Sequence, residues 1–268
     1  MPVASLPMYD MPEVAAAQDA LWAGIVAHGR RHGIDDMPAR LAHGRGLQDL
    51  WEDDDLYLSQ CCGYDVRNGY ADRFHIVATP CYAAPGCEGA DYRSVVVVGA
   101  DAEARHLADL RGAVCAINGP ESHSGMNALR ALVAPLSRDG RFFAKVRRSG
   151  RHIDSLAMVA EGKADVAAID CVTHALLARH RPGAVAGTRI LCFTDPAPGL
   201  PLVVPAERDS EFLARLRAAL ANAIDDPATR SAREALLLKE FVVLTDDDYA
   251  RIDRFAASAR ASAYPRLR

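Results

Sequence analysis

The chain has 268 residues, of which 50% are apolar and 25% charged, and this balance excludes a disordered chain, which would hold far less apolar material. Its net charge at pH 7 is −4, and no basic stripe is interleaved with aromatic residues, so a nucleic-acid partner is not expected. The basic residues of positions 145–151 are predicted to form a solvated face. No apolar run approaches the roughly 20 residues of a membrane-spanning helix, so no membrane span is expected.

Short apolar runs alternate with amphipathic stretches along the whole chain, which is the pattern of an α/β protein. The first hundred residues predict a strand at 3–8, a helix beginning after Asp10 and ending near Gly33, a short helix at 47–51, and strands at 56–60, 74–82 and 92–98. The later residues predict strands at 113–118, 142–146, 165–169 and 189–194, and helices from about 125 and at 154–160, 171–179, 210–224, 227–239 and 246–259.

Two stretches, residues 100–105 and 188–198, are interpreted as crossings between domains. They bracket a central block of βαβ type, which predicts a two-lobed α/β protein. Residues 1–102 and 190–268 are expected to form lobe one, and residues 103–189 lobe two. A chain that leaves one lobe, builds a second and returns makes a clamp, so a ligand is expected in the central cleft and hinges at the two crossings.

The strongest candidate site is the run of Ser122, His123, Ser124 and Gly125 directly before a predicted helix. Helix starts carry unsatisfied backbone N–H groups and a positive partial charge, and the two serines add hydroxyl donors. Gly125 is expected to let the backbone approach a ligand closely. The segment therefore predicts an oxyanion site, the alternative being that one serine only caps the helix.

Other candidates lie at the ends of predicted strands or the starts of helices. In open α/β sheets ligands lie outside the carboxyl ends of strands, so Asp170, which ends a strand, is predicted to face the cleft. His152 lies near the start of a helix, where a histidine can donate to an anion. The carboxyl-end rule also selects Tyr9 after the first strand and Tyr64 after the turn at residues 61–63. The alternatives are a helix cap for Asp170, a surface histidine, and two partly buried aromatic rings.

Metal and nucleophile chemistry have weaker support. The seven cysteines include no CxxC pair, which fits reduced thiols better than a disulfide framework. Cys81 and Cys87 lack a histidine at zinc-site spacing, and a catalytic thiol at Cys61 or Cys62 would need a histidine and an orienting group. The Walker, G-x-S-x-G and H-E-x-x-H motifs are absent, so neither a metal nor a cofactor is expected.

Three segments resemble the phosphonate/phosphite-type substrate-binding proteins of ABC transporters, which have the type II periplasmic-binding-protein fold. They are LYLSQCCGY at residues 56–64, NGPESHSG at residues 118–125, and the unit from His152 to EGKADVAAID at residues 161–170. The likeness runs in the right order over roughly residues 3–225. It implies the same two-lobed fold, with two hinge crossings and a central cleft.

In that family a serine/threonine-rich loop at a helix N-terminus grips the oxyanion. The resemblance implies the following ligand-binding residues: Tyr9, Tyr64, Ser122, His123, Ser124, His152 and Asp170. Within this set His123 stands where the family usually carries a hydroxyl side chain, and an imidazole can still donate a hydrogen bond there.

The resemblance implies a solute-binding protein that closes around a small anionic ligand, such as phosphate, a phosphonate or a related oxyanion. It also implies a periplasmic location and an ABC permease as partner. The first residues show neither the basic segment nor the apolar core of an export signal, so a cytosolic enzyme of the same fold is the alternative, resembling the menaquinone-pathway proteins that dehydrate chorismate. A third possibility is the effector-sensing domain of a regulator, although no helix-turn-helix segment precedes the binding fold.

Overall fold

The computed structural model describes residues 1–268, and its elements alternate as the sequence predicts for an α/β protein. The strands are β1 (Val3–Ser5), β2 (Leu56–Gln60), β3 (Phe74–Tyr82), β4 (Asp91–Tyr92), β5 (Ser94–Gly99), β6 (Val114–Ile117), β7 (Lys145–Arg148), β8 (Val166–Asp170), β9 (Thr188–Phe193), β10 (Ala197–Pro198), β11 (Leu202–Pro205) and β12 (Leu238–Val242).

The α-helices are α1 (Ala15–Arg31), α2 (Leu47–Trp51), α3 (Gly63–Asn68), α4 (Ala128–Val133), α5 (His152–Ala160), α6 (Cys171–His180), α7 (Ser210–Asp225), α8 (Arg230–Ala235), α9 (Asp246–Tyr249) and α10 (Arg251–Ala261). A π-helical turn, His123–Asn127, leads directly into α4. No helix combines the length and the apolar composition that a membrane span requires.

The chain folds into two units, each assembled from two separate segments: residues 1–83 and 199–246 form the first, and residues 84–198 and 247–268 form the second. The sequence-based division differs, since it placed both residues 1–102 and residues 190–268 in lobe one. In the structure β5 pairs with β8 and β9 of the second unit, and Ala259 of α10 is buried in that unit's core. Pairing and packing between distant segments decide this division, and no local sequence pattern reports them.

The first unit contains a five-stranded sheet in the order β1-β2-β11-β3-β12. β1 and β2 are parallel, whereas β11 and β12 run antiparallel to their neighbours. The helix α1 buries Leu21, Trp22 and Ile25 at helical spacing, as the sequence pattern predicts, and α7 packs against it.

The second unit contains a five-stranded sheet in the order β7-β6-β8-β5-β9. β6, β7 and β8 are parallel, and β5 is antiparallel to both of its neighbours. The four valines of β5 and all of β8 are buried, as expected for central strands covered on both faces. The carboxyl ends of β6, β7 and β8 consequently meet at one edge of this sheet.

Several predicted elements end or begin elsewhere in the structure. The strand predicted at 142–146 is found at Lys145–Arg148, and the helix predicted at 246–259 is divided into α9 and α10. The predicted helix at 227–239 ends at Ala235, and β12 follows it and pairs antiparallel with β3. The first strand stops at Ser5, and a 3-10 turn follows at Pro7–Tyr9. Asp10 does not cap α1, because its carboxylate accepts a hydrogen bond from the backbone N–H of Gly44 at 2.7 Å.

Candidate functional site

The candidate site lies at the edge where the parallel strands of the second unit end. β6 is followed by Asn118 and by residues 119–125, here called the serine loop. β7 leads to His152 at the start of α5, and β8 ends in Asp170. The structure therefore brings five of the seven residues proposed from the sequence to one edge of one sheet, namely Ser122, His123, Ser124, His152 and Asp170.

Ser122 caps the π-helical turn. Its Oγ accepts a hydrogen bond from the backbone N–H of Gly125 at 3.0 Å, and its carbonyl accepts one from the backbone N–H of Asn127 at 3.0 Å. The hydroxyl of Ser122 keeps its proton to donate. The backbone N–H groups of His123 and Ser124 come first in the turn, where helical geometry supplies no partner.

Ser124 connects the loop to two other elements. Its Oγ lies 2.9 Å from Nε2 of His152, and its carbonyl accepts a hydrogen bond from Ser94 Oγ at 2.9 Å. Ser94 begins β5 and is in register with Asp170 of β8. No local sequence pattern selects Ser94, because its place beside the loop depends on the antiparallel pairing of β5 with β8.

Asp170 is buried and acts as the N-cap of α6. Its Oδ1 accepts hydrogen bonds from the backbone N–H groups of Val172 and Thr173 at 2.8 and 2.9 Å. The sequence left this structural role open beside a ligand-binding one, and the structure shows the cap. The carboxylate stabilises α6 because it lies at the positive end of the helix.

His123 has a defined proton position. Asn127 accepts a hydrogen bond from Arg130 through Oδ1 at 2.7 Å, so its Nδ2 is the atom that donates to His123 Nδ1 at 3.1 Å. The neutral ring therefore carries its proton on Nε2, which is buried and has no hydrogen-bond partner. The rings of Phe255 and Tyr92 flank the imidazole, with centroids 4.8 and 6.2 Å away.

Burial keeps both histidines of the site neutral at pH 7. Desolvation lowers the pKa of His123 to about 3 and the pKa of His152 to about 4, because a low-dielectric surrounding disfavours the charged ring. The imidazoles can thus supply hydrogen bonds to a ligand but no positive charge.

Three buried polar atoms at this edge lack a hydrogen-bond partner: Asn118 Oδ1, His123 Nε2 and His152 Nδ1. Leaving such a group unsatisfied costs roughly 1–3 kcal/mol, so folded proteins contain few of them. Of these, the Nε2–H of His123 is a donor, whose missing partner a bound anion can supply. Asn118 Oδ1 is an acceptor, and so is His152 Nδ1 when that ring carries its proton on Nε2, so these two atoms need a donor instead. Asn118 is not among the residues predicted from the sequence, although it directly follows β6 and the carboxyl-end rule selects it.

Protein atoms occupy the space beside Gly125. A Cβ placed there would lie 1.8 Å from Asn118 Oδ1 and 3.3 Å from His152 Cε1. The missing side chain at Gly125 thus lets Asn118 pack against the loop, and the close approach of a ligand to this backbone stays a prediction.

Tyr9 and Tyr64 belong to the first unit. Tyr9 is buried and its ring packs edge-to-face against Tyr82, with centroids 5.1 Å apart. It lines an apolar cavity of about 30 Å³, which is enough for one or two water molecules and too small for a solute. Tyr64 is half-buried at the start of α3. The contact of both tyrosines with a ligand stays a prediction.

The surroundings of Cys61 disfavour the nucleophilic thiol considered from the sequence. Burial raises the pKa of the Cys61 thiol well above its ordinary value, which disfavours the thiolate that a nucleophile requires. No three side chains among histidine, cysteine, aspartate and glutamate are grouped so that they could hold a metal ion.

Comparison with known proteins gives a family match over residues 70–249, to the family described as the periplasmic substrate-binding protein of phosphonate ABC transporters. No curated protein sequence matches the chain significantly. Among solved structures, a binding protein component of an ABC phosphonate transporter from Pseudomonas aeruginosa is 16% identical, with a TM-score of 0.76 over 98% of this chain and 88% of that one.

Two further structures are similar over nearly the full length of both chains. A Prochlorococcus marinus protein in complex with methylphosphonate is 14% identical, with a TM-score of 0.73 over 97% of this chain and 98% of that one. A Xanthomonas citri protein bound to a chloride ion is 18% identical, with a TM-score of 0.70 over 97% of this chain and 98% of that one. These likenesses confirm the periplasmic-binding-protein-like α/β fold that the sequence predicted.

Proposed function

Because this chain belongs to the family of periplasmic substrate-binding proteins of phosphonate ABC transporters, we propose that it binds a small oxyanion of the phosphonate or phosphate class at the serine loop. The observation that carries the proposal is the convergence of the Ser122 and Ser124 hydroxyls with the buried, partnerless Nε2–H of His123 at one sheet edge. A tetrahedral oxyanion has enough acceptor oxygens to engage several of these donors at once.

The donors of the proposed site are all neutral. They are the hydroxyls of Ser122 and Ser124, the Nε2–H of His123, and the backbone N–H groups that open the π-helical turn. A hydrogen bond to a charged group contributes roughly 1.5–3 kcal/mol, and the start of a helix adds a favourable partial charge. Neutral donors at fixed positions select a ligand by its shape and by the number of its oxygens, with no need for an arginine or lysine.

His152 positions a donor in this proposal. Its Nε2 lies 2.9 Å from Ser124 Oγ, so an Nε2–H that donates to this oxygen leaves the Ser124 hydroxyl proton for the ligand. His123 reaches the ligand directly, through Nε2–H. The departure from a hydroxyl side chain at this position therefore replaces one neutral donor by another.

The proposal includes an ABC permease as partner and the periplasm as the place of action. Both are supported by the family match, whose members are periplasmic substrate-binding proteins of phosphonate transporters. The solute released by this protein would then be the one that its transporter carries.

Calorimetric titration with methylphosphonate and with inorganic phosphate tests the site. We expect one of these to bind, and the double variant Ser122→Ala, Ser124→Ala to bind it at least about 100-fold more weakly, since two charge-assisted hydrogen bonds are lost. Ser137→Ala is the matched control. Ser137 also belongs to the second unit and makes a local bond to the Ala134 carbonyl at 2.8 Å, so its loss should leave the affinity unchanged.

Two results would contradict the proposal. One is an unchanged affinity in the double variant, which would place the ligand elsewhere. The other is recovery of the ligand in a chemically altered form after incubation with the protein, which would indicate an enzyme.

A further inference from the structure

We propose that Cys87 and Cys171 form a disulfide bond when the protein meets an oxidant of the disulfide class, and that this bond fastens the loop before β4 to the first turn of α6. The two Sγ atoms are 3.5 Å apart, although the residues are 84 positions apart in the chain. Both lie in the second unit. The proposal does not depend on the identity of the ligand.

Cys171 is fixed by its place at the start of α6 and by a backbone hydrogen bond to a neighbouring segment. It is the first residue of α6, directly after the capping Asp170. Its backbone N–H donates to the carbonyl of Arg93 at 3.1 Å, and the residue is 1% exposed. Cys87 closes a turn by donating its backbone N–H to the carbonyl of Ala84 at 3.0 Å, and it is only partly buried.

Gly86 allows the loop to approach the helix this closely. It has a φ of +100°, which side chains other than glycine rarely adopt. A Cβ at this position would lie 2.9 Å from Cε1 of Phe193 and 3.2 Å from Cβ of Cys171. The glycine thus brings one thiol against the other.

The two sulfur atoms need only a small movement to reach bonding distance. A disulfide has an S–S distance of about 2.0 Å, so the two sulfur atoms must approach by about 1.5 Å. The neighbouring residues Pro85, Glu88 and Gly89 are exposed, so the loop can shift without disturbing the core. The helix start need not move.

Oxidation by glutathione disulfide shows the balance of the reaction. The Cys87 thiol loses its proton and attacks one sulfur of the oxidant, which releases one glutathione thiolate and leaves a mixed disulfide. Cys171 then loses its proton and attacks the sulfur of Cys87, which releases the second glutathione. Two protein thiols are oxidised, one disulfide is reduced, and the two protons end on the two glutathione thiols.

The different surroundings of Cys87 and Cys171 decide which thiol reacts first with the oxidant. The hydrogen bond with Cys87 and burial both raise the pKa of Cys171, which disfavours its thiolate as the first attacking group. Cys87 is the more accessible sulfur, so the oxidant meets it first. The buried thiol then acts only within the protein.

The bond would restrain a long segment of chain. A cross-link stabilises a fold mainly by restricting the unfolded chain, and the effect grows with the length of the closed loop. For a chain of this size we expect the oxidised protein to melt about 4 °C or more above the reduced one.

The test compares reduced protein with protein incubated with glutathione disulfide. The intact mass should fall by two hydrogens and the accessible thiols under denaturing conditions from seven to five. Non-reducing digestion with trypsin should give one linked pair, from residues 74–93 and 164–179. Because Cys81 shares the first peptide, Cys87→Ser is the deciding variant: it should lose both the link and the difference in Tm.

Cys192→Ala serves as the matched control in the same unit, and it should keep both. Cys171→Ala gives an independent measurement, since it should abolish the link even if its own stability falls. The proposal is overturned if the wild-type mass does not change, if the linked pair persists in Cys87→Ser, or if the disulfide joins another pair of cysteines.

Discussion

Histidines in the two units show opposite behaviour. In the second unit, burial alone lowers the pKa values of His123 and His152. In the first unit, His43 lies with Nδ1 2.7 Å from Asp10 and Nε2 3.1 Å from Asp19. Burial lowers the pKa of His43 as well, but the hydrogen bonds and charges of the two carboxylates outweigh it, and the net pKa is raised.

Burial and neighbouring carboxylates together decide whether the pKa of an imidazole falls or rises. Without a carboxylate, enclosure yields a neutral hydrogen-bonding group suited to a ligand oxyanion. Beside two carboxylates, the partly exposed ring of His43 keeps its proton to a higher pH and links Asp10 to Asp19. The second unit therefore holds two neutral hydrogen-bonding rings, whereas His43 of the first unit is already paired with Asp10 and Asp19.

The largest effect is expected from Gly125→Ala, which disrupts the packing of the serine loop against Asn118. The added Cβ would overlap Asn118 Oδ1 at 1.8 Å, so the loop and Asn118 must separate. We expect a destabilisation of about 1–3 kcal/mol, and a loss of anion binding of at least the size seen in the double serine variant. Thermal unfolding and calorimetric titration with methylphosphonate measure the two effects.

Gly183→Ala is the control for this substitution. No atom lies within 4 Å of a Cβ placed at Gly183, so both stability and affinity should stay near those of the wild type. Equal behaviour of the two alanine variants would show that Gly125 is not tightly packed.

Acidification is expected to lower the free energy of unfolding by an intermediate amount, because His123 and His152 are neutral in the folded protein. Their folded-state pKa values, about 3 and about 4, lie below the ordinary value of 6.5. The unfolded chain therefore binds more protons, and stability falls as the pH drops below 6.5 toward these values. Urea unfolding should give a smaller free energy of unfolding at about pH 4.5 than at neutral pH. In His123→Phe the free energy of unfolding should depend less steeply on pH. An identical slope in the variant would mean that His123 is not buried in its neutral form.

The smallest effect is expected from His43→Gln. A raised folded-state pKa means that the protonated ring stabilises the fold below the ordinary value of 6.5, and that this contribution is lost as the pH rises through the raised pKa. Partly exposed ion pairs contribute only about 0–1 kcal/mol. The difference in Tm between wild type and variant should therefore be small in mild acid and vanish in alkali. A difference that does not change with pH would contradict the charged pairing with Asp10 and Asp19.

Much of the secondary structure could be predicted because it follows from local patterns. The strand predicted at 92–98 and the helix predicted at 210–224 are confirmed by β5 and α7, because a short apolar run and a helical spacing of apolar residues are local features. The predicted helix at 227–239 overlaps the first two residues of β12, because the amphipathic stretch continues through Leu238. β12 forms a strand because β3 offers it an antiparallel partner, and a partner more than 150 residues away leaves no local signal.

The site was predicted unevenly for the same reason. The serine loop was found because a cap and its helix are neighbours in sequence, and Ser122 indeed caps the turn. The rule that ligands lie at the carboxyl ends of strands also selects Asn118. It does not select Ser94, because Ser94 contacts Ser124 only through the pairing of β5 with β8.

The sequence by itself determined the α/β alternation, the family resemblance and the position of hydroxyl donors at a helix start, since periodicity, capping and motif order are properties of neighbouring residues. The tertiary structure alone decided that the C-terminal helix belongs to the second unit, that Asn118 fills the space beside Gly125, and that His123 and His152 are neutral. Burial and pairing arise between residues far apart in the chain, and only the folded arrangement sets the local dielectric and the hydrogen-bond partners on which protonation depends.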